Sequence, residues 1–150
     1  MINNKLEKSN IISNCLTIII LIFNFILASF NLDNLIDSND RVSNLIGAFG
    51  YMILPYITIA IITQIVVLVL NIINKQGKQS LNIVTLIVEI VYFIFTNFAV
   101  TPFMFFYLFF FNKLLAYLVF LVFEFLNIYI IVLSIKRIIQ YKKVCDRYGK

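Results

Sequence analysis

LNIVTLIVEIVYFIFTN, residues 81–97, is long enough to cross a lipid bilayer yet carries one carboxylic acid, Glu89, close to where the hydrocarbon is driest. An acid at that depth is tolerated when it faces protein or a wet cavity and not acyl chains. Its companions at helical spacing, Asn82, Thr85, Tyr92 and Thr96, fall on the same face, so the run predicts a spanning helix with one polar edge turned inward.

The rest of the chain extends that reading. Of its 150 residues, 62% are hydrophobic, against about 45–50% in soluble proteins. Four runs of roughly 20 apolar residues stand out, at about 11–32, 46–73, 81–101 and 114–135. None carries Lys, Arg or Asp in its central turns, and no repeat, low-complexity linker or soluble domain separates them. The first run exceeds the apolar core of a secretory signal, and no clear A-x-A cleavage site follows it.

Basic residues near helix ends are retained on the cytoplasmic side. With both termini inside, ten of the twelve Lys and Arg residues fall there, leaving Arg41 and Lys113 outside. The expectation is therefore a multi-pass protein of the plasma membrane with cytoplasmic termini and an even number of spans. Cys15 and Cys145 then lie on the reducing side, and no disulfide is expected.

The first connection, NLDNLIDSNDRVSN, holds Asp33, Asp37 and Asp40 but lacks the spacing and glycine of a calcium loop, so it reads as a solvated acidic loop. The second, NKQGKQS, is short, with Gly77 ending one helix, which makes the second and third helices antiparallel neighbours. The third is unusual. After Thr101 comes PFMFFYLFFFNK, too apolar for a loop. A straight helix from Pro102 to Ile139 would measure about 57 Å, nearly twice the bilayer core, which predicts a break near Asn112 and Lys113. The Phe-rich piece reads as an interfacial or shallow re-entrant segment, with Lys113 snorkelling to the headgroups; a steeply tilted, kinked fourth helix is the alternative. In the tail, residues 136–150, the side chains of Lys136, Arg137, Lys142, Lys143 and Arg147 are expected to touch anionic lipid headgroups.

Polar stripes recur in the other helices: Asn14, Thr17, Asn24 and Asn31 in the first; Gly50, Gln64 and Asn71 in the second; Tyr117, Glu124, Asn127 and Ser134 in the fourth. Turned toward a common axis, they predict an all-α integral membrane four-helix bundle of up-down-up-down topology. Counted from the cytoplasmic ends at 1.5 Å per residue, Glu89, Gln64 and Asn127 lie about 12–13 Å deep, Glu124 about 16 Å and Asn24 about 20 Å. That places Glu89 and Glu124 within reach of each other in one layer, with Asn24, Gln64, Tyr92 and Asn127, and with no basic residue at that depth. Two ionised carboxylates so close in a poor dielectric are costly, so at least one is expected to hold its proton. Such a layer serves either as polar glue between helices or as a titrating site for a proton or small cation.

Catalysis has little support. Histidine is absent, the two cysteines are far apart in sequence, and no nucleophile or metal motif is present, so no catalytic residue, metal or cofactor is expected. The net charge of +5 is accounted for by topology, which leaves nucleic acid without a binding surface. Two functions remain: a non-enzymatic interaction protein of accessory, regulatory or immunity type, and a proton- or cation-linked small transporter or channel subunit using Glu89 and Glu124. The partners implied are the lipid bilayer and either another membrane protein or further copies of this chain.

Overall fold

A computed structural model describes residues 4–36, 41–74 and 78–148. These residues are helical almost throughout and contain no strand. The helices are α1 (Asn4–Ile36), α2 (Arg41–Ile73), α3 (Gln79–Phe95), α4 (Thr101–Phe111) and α5 (Lys113–Tyr148), with a π-helical turn at Thr96–Val100 joining α3 to α4. Four stretches are long and apolar enough to cross a membrane: Leu6–Ser29, Gly50–Ile73, Gln79–Val100 and Lys113–Lys143. In such a solvent every backbone polar group must be satisfied within the chain, which continuous helices accomplish.

α1 packs along α2 and α5, and α3 along α2 and α5, closing a ring of four. Hydrogen bonds from Asn10 to Asn71 and Ser134, and from Asn74 to Asn82, gather the start of α1, the end of α2, the start of α3 and the second half of α5 at one end. The inner faces follow the polar stripes closely. α1 buries Asn14, Thr17, Leu21, Asn24 and Ala28, α2 buries Ile53, Ile57, Ala60, Gln64, Val67 and Asn71, and α3 buries Asn82, Thr85, Glu89 and Tyr92. Outside them lies an almost unbroken coat of Ile, Leu, Val and Phe, reaching 81% exposure at Phe98.

α5 is rotated relative to the stripe expected of it. Its inner line runs Ala116, Phe123, Asn127, Ile130, Ser134 and Arg137. Glu124 is only half-buried, and Tyr117 faces outward, its ring packed edge-on against Phe105 at 5.2 Å. The cause is packing volume: α4 covers this side of α5 and fills it with Phe105 and Phe109, leaving room on the axis for Ala116 but not for a tyrosine.

The Phe-rich segment is a helix, entered through the π turn. Pro102 has no N–H to give, and its ring excludes the carbonyl four residues back. The chain widens there, with the Thr101 N–H bonding the carbonyl of Thr96, five residues earlier. Side chains take up nearby carbonyls: Thr96 Oγ1 donates to Tyr92 at 2.9 Å and Asn97 Nδ2 to Phe93 at 2.9 Å. Met104 and Leu108 face the core.

The expected break falls on Asn112, whose extended backbone (φ −158°, ψ 111°) ends α4 and opens α5. Its N–H closes α4 on Leu108 at 2.8 Å, and its Oδ1 caps α5 by accepting from Leu115 N–H at 3.1 Å. Lys113 Nζ sits 5.3 Å from the centre of the Phe109 ring. At the other end, Asn74 Oδ1 accepts from Lys78 N–H and its Nδ2 donates to Asn82 Oδ1, both at 2.7 Å, tying α2 to α3. Gly77, Asp37 and Asp40 lie outside the described residues, as do the side chains of Asp33 and Asn31.

Candidate functional site: a polar interior with a buried arginine

The polar interior begins with a directed chain of side-chain hydrogen bonds. A guanidinium has donors only, so Arg137 must find acceptors, and its Nη1 donates to Asn71 Oδ1. That fixes the Asn71 amide. Asn10 Nδ2 then donates to the same Asn71 oxygen at 3.5 Å and to Ser134 Oγ at 3.4 Å, and Asn14 Nδ2 donates to Asn10 Oδ1 at 3.4 Å. These bonds are long, and each acceptor faces back toward Arg137. What remains unused is Asn14 Oδ1, deeper in the bundle, and Asn71 Nδ2.

Glu89 lies beside this chain. Its side chain is 1% exposed. Ser134, Arg137 and Asn71 all act on its carboxyl, yet none meets hydrogen-bond geometry with it, and neither carboxyl oxygen has a hydrogen-bond partner among the described residues. Arg137 is also within electrostatic reach of Glu7, which acts on it more strongly than Glu89 does.

Two expectations are corrected here. Arg137 does not reach out to lipid headgroups. It is 4% exposed and points into the bundle, because position 137 continues the inner line from Asn127 and Ser134 by one more helical step of three. For the same reason Glu89 does have a basic residue near it. Lys136, Lys142 and Lys143 are exposed, as headgroup contact requires, and the Arg147 side chain is outside the described residues.

The two acids also do not share a layer. Glu124 Oε1 accepts from Thr101 Oγ1 at 3.1 Å, beside the π turn. Ser134, next to Glu89, is ten residues further along α5, an axial step of about 15 Å. Depth counted from each helix's own end misses this, because the hydrogen bonds of Ser134 and Arg137 set the height of α5 against α1 and α2.

Of the remaining candidates, Gln64 and Tyr92 lie side by side, without hydrogen-bond geometry between them, and Glu124 acts on the Tyr92 hydroxyl through space. Gln64 Oε1, the Tyr92 hydroxyl and both side-chain polar atoms of Asn127 are buried and have no hydrogen-bond partner among the described residues. Asn24 stays apart, its Nδ2 donating to the carbonyl of Ile20 on its own helix at 2.7 Å. Asn71 and Ser134 belong to the inward stripes the sequence predicts, whereas Asn10 and Arg137 are on neither stripe, although Asn10 precedes Asn14 by one helical turn.

The described residues contain no group of three or more His, Cys, Asp or Glu side chains placed to hold a metal ion. Compared with protein-family models, curated proteins and solved structures, the chain matches none of them.

Proposed function

We propose that this is a small non-enzymatic multi-pass protein of the cell membrane, an up-down-up-down bundle with both termini cytoplasmic. It acts by holding on to another membrane component as an accessory, regulatory or immunity-type protein. The observation that carries this reading is the division between inside and outside. Asn10, Asn14, Asn71, Ser134 and Arg137 bond to one another in the interior, and the outer faces of the spans offer apolar side chains. Such a surface recognises through shape within the lipid. The Phe-rich α4 lies at the outer interface in this arrangement, with Lys113 directed to the headgroups, and Lys136, Lys142, Lys143 and Arg147 hold the tail on the anionic inner leaflet.

A second reading, a proton- or cation-linked transporter or channel subunit using Glu89 and Glu124, has one observation in its favour: the unpartnered carboxyl of Glu89 in the middle of a span. Reconstitution into sealed liposomes separates the two. The expected result is no proton or alkali-cation flux under an imposed gradient, and a discrete protein adduct in cells from a photo-crosslinking residue placed at Leu118 or Phe125. Flux that disappears in Glu89→Gln with Glu124→Gln would transfer the conclusion to transport. Orientation is read from Cys145, which an impermeant maleimide should label only after the membrane is opened.

A further inference from the structure

Between residues 9 and 135 the four candidate spans contain two acids, Glu89 and Glu124, and one base, Lys113, at the mouth of the fourth. Glu89 is enclosed by protein. Glu124 is not. It is half-buried, and along α5 it stands in line with Tyr117, Leu121 and Ile128, at helical steps of four, three and four. Its neighbours one turn to either side, Leu121 and Ile128, are 63% and 51% exposed. The carboxyl therefore sits where the interior of the bundle meets its outer surface, about 16 Å from Lys113 and so near the middle of a span.

The π turn holds it there. Thr17, Thr58, Thr63, Thr85 and Thr96 each return the hydroxyl to the carbonyl four residues back on their own helix. Thr101 does not: the turn takes its N–H to Thr96, five residues back, and its Oγ1 donates across to Glu124 Oε1 at 3.1 Å. On the inner side the Tyr92 hydroxyl is also within electrostatic reach of Glu124. Both neighbours are neutral, and Glu124 has no ion pair among the described residues. The nearest bases along α5, Lys113 and Lys136, are eleven and twelve residues away, steps of about 16 and 18 Å. Residues 42–74 and 79–112 contain no Lys or Arg, and Arg137 is engaged with Glu7 and Glu89. A carboxylate at this depth, open on one side, calls for a positive charge that this chain does not supply.

We propose that Glu124 marks the docking point on α5 for a membrane helix of another protein that carries a Lys or Arg in the middle of its own span. The inference rests on the docking reading and names the chemistry of the partner. Charge complementarity selects this occupant. A second copy of the chain would bring another acid and no base to the same height, and acyl chains bring no charge at all. Leu121 and Ile128 give the partner apolar surface on either side of the ion pair. The exposed hydroxyls of Thr58 and Thr63 on α2 offer nothing comparable, because each is bonded to its own helix.

The test measures energy transfer in liposomes between the dye-labelled full chain and synthetic polyleucine transmembrane helices. One helix has a central lysine, one has leucine there, and one has the lysine moved two turns toward an end. The central-lysine helix is expected to associate about tenfold more tightly than the other two. Glu124→Gln, which keeps an acceptor for Thr101, should abolish that preference. Equal association of all three helices with the unaltered chain overturns the proposal whether or not the variant folds. So does a preference undiminished in folded Glu124→Gln. Energy transfer between two differently labelled copies that disappears in Glu124→Gln would make a second copy the occupant, and also overturns it. The two readings fail separately: an adduct in cells from Leu118 or Phe125 with equal peptide association strikes this inference alone, whereas no adduct strikes the docking reading and this inference with it.

Discussion

At the end of the bundle that holds Asn10 and Arg137, helices are joined by side-chain hydrogen bonds between Asn, Ser and Arg, whereas at the other end they meet through Ile53, Ile57, Val100, Met104, Leu108 and Phe123. For helices that cross a bilayer, the surrounding solvent rewards neither kind of contact. Lipid is as apolar as leucine, so burying Phe123 against neighbouring helices gains close packing and no hydrophobic transfer. Burying Asn71 gains a partner that lipid cannot supply, at the risk of severe loss if that partner is removed. The apolar end is thus tolerant and the polar end is directional: amides and a guanidinium specify which atom meets which, fixing helix height and rotation.

The largest effect that would break this contrast is expected at Arg137. Arg137→Gln leaves the carboxylates of Glu7 and Glu89 without their countercharge and releases the Asn71 amide. The expected loss is about 3–5 kcal/mol, read by reversible unfolding in mixed micelles. Adding Glu89→Gln should restore at least half of it, because a buried charge has then been removed with its partner. Next comes Phe123→Ala at the apolar end. With no transfer from water at stake, the cavity remains, about 2–3 kcal/mol in the same assay. A loss at Phe123 equal to that at Arg137 would erase the distinction between the two ends. The smallest is Asn112→Ala, which removes the cap on α5 and leaves both helices otherwise intact. About 1 kcal/mol is expected, together with faster amide exchange at Leu114 and Leu115.

Much of this was legible before any coordinates. The inward edge of α3 could be read residue by residue, because polar side chains facing lipid have no alternative partner, and the break at Asn112 followed from length against bilayer thickness. What sequence could not supply was the height of one helix against another. Periodicity reports rotation, but axial register is set by which distant side chains bond, so the pattern alone puts Glu89 and Glu124 together although they belong to different levels. Arg137 is hard to read for a related reason: among Lys136, Lys142 and Lys143 it has the composition of a surface tail, and only its spacing from Ser134 marks it as internal. The outward turn of Tyr117 depended on α4 packing over α5, which no local pattern announces.

The bonds of Asn74 to Lys78 and Asn82 connect residues four and eight positions apart, while those of Asn10 with Asn71 and Ser134 connect residues 61 and 124 apart. The hairpin of α2 and α3 is therefore able to zip shut as soon as its two arms are made. The interior has to wait for the final helix to be synthesised. A chain cut short before α5 would leave Asn10, Asn71 and Glu89 without Ser134 and Arg137, so this end of the bundle closes only when the last helix arrives.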